Sequence, residues 1–166
     1  MTNPLIAAIT AGDRLVVRRL LSEGANPNTS DESGENALNL AATMGDTAMA
    51  KDLLAAGAER DSRGRQSGLT ALELAASNGH RGIVALLLPL ADQAAIEPET
   101  GRTVLHLVAK SFAMRSEARA AEILNLLLNS GANPDSKDCQ GHTAADLANA
   151  AGFRERAALL ASSTRR

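Results

Sequence analysis

Three residues close together could do chemistry. Asp138, Cys139 and His142 fall within five positions and bring a carboxylate, a thiol and an imidazole. A thiol beside an imidazole suggests a nucleophile, and the three together suggest metal ligation. The surrounding residues oppose both. Gln140-Gly141 marks a solvated turn, which offers no pocket for an oxyanion, and three side chains are too few to close a structural zinc site. Elsewhere there is no glycine-rich phosphate loop, and no carboxylate pair stands apart from the chain's own periodicity. The chain is therefore expected to hold no catalytic residue, no cofactor and no metal, and not to be an enzyme.

Composition narrows the classes further. The chain has 166 residues, a net charge of −2, two Phe and no Tyr or Trp. Near-neutral charge leaves no electrostatic footprint for DNA or an anionic membrane. Single-stranded nucleic acid stacks its bases on aromatic rings, which are scarce here. No apolar run reaches the roughly 18 residues of a membrane span. Cys139 is the only cysteine, so no intramolecular disulfide can form, which fits a reducing cytosol. The N-terminal apolar run lacks a basic lead-in, so no secretory signal is read, and the Asn28-Thr29-Ser30 triplet then carries no glycan.

The elements that hold these residues repeat. Residues 68–88 read GLTALELAASNGHRGIVALLL. Leu72, Leu74, Ala75 and Ala76 give one short apolar helix face. Asn78-Gly79 breaks it, and Ile83, Val84, Leu87 and Leu88 form a second stripe at helical period. Gly12, Gly45 and Gly79 are separated by 33 and 34 residues, and Gly34, Gly68 and Gly101 by 34 and 33. Leu5, Leu38, Leu72 and Leu105 share a phase, as do Leu20-Leu21, Leu53-Leu54, Leu87-Leu88 and Leu127-Leu128. Gly24-Ala25, Gly57-Ala58 and Gly131-Ala132 close the second helix in three copies. A helix pair this short cannot bury both faces alone and needs a similar unit on each side.

A period near 33 with this helix–turn–helix–tip pattern resembles the ankyrin repeat. Thr70-Ala71-Leu72-Glu73-Leu74-Ala75-Ala76, Gly79-His80 and Leu87-Leu88 carry the likeness, and Thr103-Val104-Leu105-His106 matches the family's T-x-L-H core. The resemblance implies an all-α solenoid of about five stacked helix-turn-helix repeats with short connecting β-hairpins or loops. The copies fall at about 1–28, 29–61, 62–95, 96–135 and 136–161, within one domain spanning 1–166. It also implies a structural role for two histidines. Thr103 would hydrogen-bond the His106 ring, with Asn39, Glu73 and Asp146 at the same place in other copies, and His80 follows a turn glycine.

The copies are unequal. The first lacks a leading hairpin strand, and Arg154, Glu155 and Arg156 dress the last helix, as expected of capped ends rather than an excised fragment. Pro89-Leu90-Ala91-Asp92 replaces the Gly-Ala terminator, leaving the hairpin at 93–101 weakly specified. Leu105 to Gly131 spans 26 residues against 19 from Leu38 to Gly57, so seven extra residues lie in 110–121. The good helix formers there predict lengthened helices or an extra turn. Arg115 to Glu122 is expected to solvate a helix face. Phe112 aligns beside Phe153 of the next copy, which puts both rings at one end, with Met114 completing a possible knob. Residues 162–166 are expected to fray.

Function then follows from the resemblance: non-catalytic binding of another protein, in the cytoplasm, by a chain that is monomeric when free. The family's partners dock on hairpin tips and the concave first-helix face. By phase that surface holds Glu32, Ser33, Glu35, Thr43, Met44, Gln66, Ser67, Leu69, Ser77, Asn78, Glu99, Thr100, Arg102, Lys110, Ser111, Gln140 and His142. Met44 and Leu69 would be its apolar anchors and Arg102 its charged one. An immunity-type inhibitor that neutralises a toxin or enzyme is the alternative, and an enzyme with an unrecognised site is a remoter one.

Overall fold

The computed structural model describes residues 3–90, 97–114 and 116–163. The expected strand residues 93–96, the junction at 91–92, Arg115 and the tail at 164–166 lie outside the described residues. The chain divides into two compact units, Met1–Leu74 and Ala75–Arg166.

In the first unit, α1 (Pro4–Thr10) packs on α2 (Arg14–Ser22), and α3 (Ala37–Met44) packs on α4 (Thr47–Ala55). The pairs stack, α1 on α3 and α2 on α4. Of the stripes read in the sequence, Leu5, Leu38 and Leu53 are buried, joined by Ile9 and Met49, while Leu20, Leu21 and Leu54 are half-buried. Ala41 and Ala42 are also buried, and small side chains let neighbouring backbones approach. Leu15, on α2, is largely exposed.

Each helix is short, so its ends are capped. The Asn3, Asp13, Asn36 and Asp46 side chains each accept a backbone N–H in the first turn of α1 to α4. At the C-terminal ends of α1 and α3 a glycine turns left-handed: Gly45 has φ of 77°. The next N–H then reaches back five residues, Asp46 to the Ala41 carbonyl at 3.1 Å and Asp13 to Ala8 at 3.0 Å.

The second unit repeats the plan. α5 (Ala71–Asn78) carries the boundary, and α6 (Arg81–Leu87) follows Gly79. A 3₁₀ turn over Leu88–Leu90 stands where the Gly-Ala terminator is missing. α7 (Val104–Lys110) packs on α8 (Glu117–Asn129) and on α9 (Ala144–Ala150), while α8 packs on α6 and on α10 (Arg154–Ser163). The extra residues are divided between two outcomes. α8 has 13 residues, so one helix is lengthened as expected. Residues 111–114 are not helical, against the expectation from their helix formers. The reason is at the end of α7, where Ser111 is extended (φ −68°, ψ 120°) instead of the left-handed glycine of the other copies.

Among the described residues the tips form no strand, only an isolated bridge between Ser30 and Asn36. Each tip is a tight turn closed by two backbone bonds: Asp31 N–H to Glu35, Gly64 to Leu69, Glu97 to Arg102 and Asp138 to His142, at 2.8–2.9 Å, and the N–H of Gly34, Gly68, Gly101 and Gly141 back to the carbonyl of Asp31, Gly64, Glu97 and Asp138, at 2.8–3.1 Å.

The histidine role implied by the T-x-L-H match is present. The Thr103 hydroxyl lies 2.9 Å from His106 Nδ1, and the Thr103 N–H donates to the same nitrogen at 3.2 Å. Nε2, 3.0 Å from the His142 carbonyl, must then carry the proton. The neutral ring therefore satisfies both ends, tying a first helix to the tip of the next copy. In the other unit Asn39 makes the matching bond, donating to the Leu69 carbonyl at 2.9 Å.

Two outcomes follow. A Cβ on Gly79, whose φ is +83°, would lie 2.9 Å from Met114 Cγ and from Arg119 Cδ. Gly79→Val should therefore cost at least about 2 kcal/mol and lower Tm by several degrees; an unchanged thermal melt would refute the strain. The second concerns acid. Burial pushes the His106 pKa down, with the His142 carbonyl opposing. The unfolded chain takes up a proton below about pH 6.5 that the folded one resists, so stability is complete above that value and declines as pH falls beneath it. Asp31, Asp138 and Asp146 also have lowered pKa values, and their losses begin only below about pH 4. Tm at pH 5.5 should thus fall below that at pH 7.5, and His106→Asn should flatten the difference; an unflattened difference would point to another group.

Candidate functional site

The tips show which predicted surface residues are displayed and which are used internally. In the first unit Asp31 builds the tip. Its carboxylate accepts the Ser33 hydroxyl at 2.6 Å and the Ser33 and Glu35 N–H groups at 2.9 Å. These bonds, the Ser33 hydroxyl foremost, hold the Asp31 pKa down. They leave Glu32 and Ser33 facing solvent.

Glu35 corrects the sequence reading. Expected on the surface, it is only 9% exposed. Its oxygens accept the Ser67 N–H at 2.6 Å and the Asn39 amide at 3.1 Å, and the Arg65 N–H donates to the Gly34 carbonyl beside it at 2.9 Å. The carboxylate thus serves as a clasp between successive tips. It also fills the space over Gly64, where a Cβ would come within 2.0 Å of Glu35 Oε2. Ser67 and Leu69 are half-buried, and the Leu69 N–H donates to Ser67 Oγ at 3.1 Å, so Leu69 is not the freely displayed anchor expected. Gln66, Thr43 and Met44 are exposed, Met44 at 45%, and Thr43 Oγ1 donates back to the Asn39 carbonyl. Arg63, not singled out in the sequence, binds buried Glu73 with both guanidinium nitrogens, at 2.8 and 3.3 Å.

In the second unit Glu99, Gln140 and His142 are exposed, and Thr100 is half-buried with its hydroxyl bonded to Glu97. Arg102 is the second correction. Its Nε is buried and lies 3.6 Å from a carboxylate oxygen of Asp138. It ties adjacent tips together, as does the Cys139 N–H, which donates to the Thr100 carbonyl at 2.9 Å. Asp138 is buried and accepts the His142 and Gln140 N–H groups at 2.9 Å; these bonds, His142 first, lower its pKa. Asp138, Cys139 and His142 therefore form a tip, with the thiol exposed and the carboxylate already engaged. Among the described residues no group of three His, Cys, Asp or Glu could hold a metal. Lys110, Ser77 and Asn78 are half-buried, and the Ser111 hydroxyl donates to the Ser77 carbonyl at 2.6 Å.

The residue that sequence reasoning missed is Arg156. Read as polar dressing of the last helix, it is 1% exposed. Its guanidinium donates to the carbonyls of Val108 (3.1 Å), Ser111 (2.8 Å) and Met114 (3.0 Å) and pairs with Glu117 at 2.8 Å. Glu117, expected to solvate a helix face, is thereby drawn inward. The guanidinium carbon also lies 3.9 Å from the Phe153 ring centroid. Phe153 meets Phe112 as the repeat phase implied, with centroids 5.0 Å apart and planes at 56°. Met114, expected to share the knob, is buried instead. The signal available was indirect: copy four lacks a turn glycine, so its exposed carbonyls need an outside donor.

The sequence comparisons agree with this architecture. The family model for ankyrin repeats in three copies matches residues 5–97 and 45–138. The chain is 30% identical over 161 residues to the nuclear factor NF-kappa-B p105 subunit of Gallus gallus, covering 95% of this chain and 16% of that protein. It is 38% identical over 74 residues to NF-kappa-B inhibitor delta of Mus musculus, covering 44% of this chain and 23% of that one. A putative ankyrin repeat-containing protein of Treponema pallidum (strain Nichols) matches at 30% over 139 residues, 84% of this chain and 44% of its own length. The chain thus spans less than half the length of each of these relatives. The repeated caps, left-handed glycine turns and family match together establish that this chain belongs to the ankyrin-repeat family.

Proposed function

We propose that the chain is a non-catalytic protein-binding module whose displayed tip and first-helix residues contact a partner protein. Ankyrin repeats are protein-interaction modules, which supports the reading at the level of the family. The observation that carries it further is the division of the surface. Side chains at repeating positions are consumed in caps and clasps, whereas Glu32, Ser33, Met44 and Gln66 in the first unit and Glu99, Gln140 and His142 in the second stay exposed and differ from copy to copy. Such variation on a shared frame is what recognition needs, and it lies where titratable groups are not gathered for chemistry. Thr43 and half-buried Ser67, Leu69, Ser77, Asn78, Thr100 and Lys110 border these patches. Glu35, Arg102 and Ser111 act by holding the frame. A cytoplasmic, monomeric chain fits this reading. An inhibitor that holds its target inactive is a narrower version, favoured by the likeness to a relative whose name describes an inhibitor.

The test uses affinity capture from the native cell, followed by titration of the purified partner. Glu32→Arg with Met44→Ala, and separately Glu99→Arg with Gln140→Ala, should weaken binding at least about tenfold, or 1.4 kcal/mol, in one or both variants. Stability should stay within about 0.5 kcal/mol. Arg18→Ala with Lys51→Ala serves as a control away from the tips and should leave affinity intact. Loss of binding in that control alone would move the site elsewhere.

A further inference from the structure

The connector after α7 displays an aromatic ring where burial would be cheaper. Phe112 is 73% exposed, although it is one of only two aromatic residues in the chain. Its contact with Phe153 is tilted and covers only part of its surface. The backbone beneath it is nevertheless held on both sides. Arg156 grips the Ser111 carbonyl just before Phe112 and the Met114 carbonyl two residues after it, Ser111 Oγ donates to the Ser77 carbonyl, and the Ala113 N–H donates to Ser111 Oγ at 3.3 Å. A fully buried guanidinium is expensive unless each of its donors is met. Here it is committed to fixing a turn whose one large outward side chain, among the described residues, is Phe112.

The charge on the neighbouring helices α8 and α10 is also informative. Glu117 and Glu122 are engaged by Arg156 and Arg81. Arg154, next to Phe153, and Arg119, whose stem lies by Met114 and Gly79, are exposed, and among the described residues no carboxylate is within ion-pair distance of either. Glu155 is the one unengaged carboxylate on the same first turn of α10 and offsets only part of this charge.

We propose that Phe112, held out by buried Arg156, is a preorganised docking knob for an acidic, apolar segment of a partner protein. The ring would enter an apolar hollow while Arg119 and Arg154 meet flanking carboxylates. A ring presented on a fixed backbone loses little entropy on binding, which suits a hot spot. The surface shares no residue with the tips, so it stands or falls separately from the binding reading above.

The experiment is a random-peptide phage selection on the intact chain, with counter-selection on Phe112→Ala. That variant should melt within about 2 °C of the parent, since the ring is mostly exposed. Selected peptides should combine an apolar side chain with Asp or Glu. Their affinity should fall at least about tenfold with Phe112→Ala and with Arg119→Glu plus Arg154→Glu, and hold with Glu32→Arg plus Met44→Ala. Arg156→Met retains the ring but releases its support; amide exchange at residues 111–114 should quicken and peptide affinity should drop. Three results would overturn the proposal. They are peptides that bind Phe112→Ala equally well, enrichment of basic or uncharged sequences, and a concentration-dependent dimer abolished by Phe112→Ala, which would make a second copy the occupant. Unaltered peptide affinity in Arg156→Met would refute the positioning role.

Discussion

Helices of seven to nine residues, like α1 to α7, are too short to persist alone in water. Their stability must come from neighbours, and this governs the rest of the molecule. Two first helices, α3 and α7, spend their third residue on the next copy. Asn39 donates to the Leu69 carbonyl and His106 to the His142 carbonyl, so a side chain inside one repeat completes the backbone of another. Alanines at the interfaces bring the helices close enough for these bonds. Caps and left-handed glycines then settle the end groups that would otherwise be stranded. Every copy in a unit is thus a partial solution that its neighbour finishes.

This explains what could be read from the sequence. Helix positions, turn glycines and the Thr103–His106 pair follow from local rules that recur every 33 or so residues, and recurrence multiplies a weak signal. Contact between Phe112 and Phe153 was also legible, because repeat phase alone brings them level. Glu35 and Arg102 were not. Both occupy a tip position that differs from copy to copy, and nothing local distinguishes a carboxylate pointing outward from one that caps the N–H of Ser67, 32 residues on. Exposure was inferred from phase, but direction depends on whether a donor waits in the next copy.

Arg156 shows the same limit more sharply. A guanidinium on a polar first turn reads as solvated, and only the missing glycine at the end of α7 creates the carbonyls that draw it in. At the other helix ends, backbone N–H groups bend back to do that work, as Phe153 does to Ala148 at 2.9 Å. Where the chain cannot turn left-handed, a side chain 45 residues from Ser111 replaces the backbone. The carbonyls of Val108, Ser111 and Met114 are thus met by a different donor, whose charge Glu117 balances.

The Glu35 carboxylate over Gly64 has a consequence for how such a chain can drift. While the carboxylate is present, a side chain at position 64 must push it aside, because the first carbon would overlap it, and the bonds to Ser67 and Asn39 are then lost. Once Glu35 is lost, the clasp to Ser67 goes and the space opens, so a larger residue at 64 becomes tolerable, and a returning Glu35 then finds its place occupied. The two sites are non-additive by contact. The order of the changes matters in both directions, with history recorded in a pair of residues 29 positions apart.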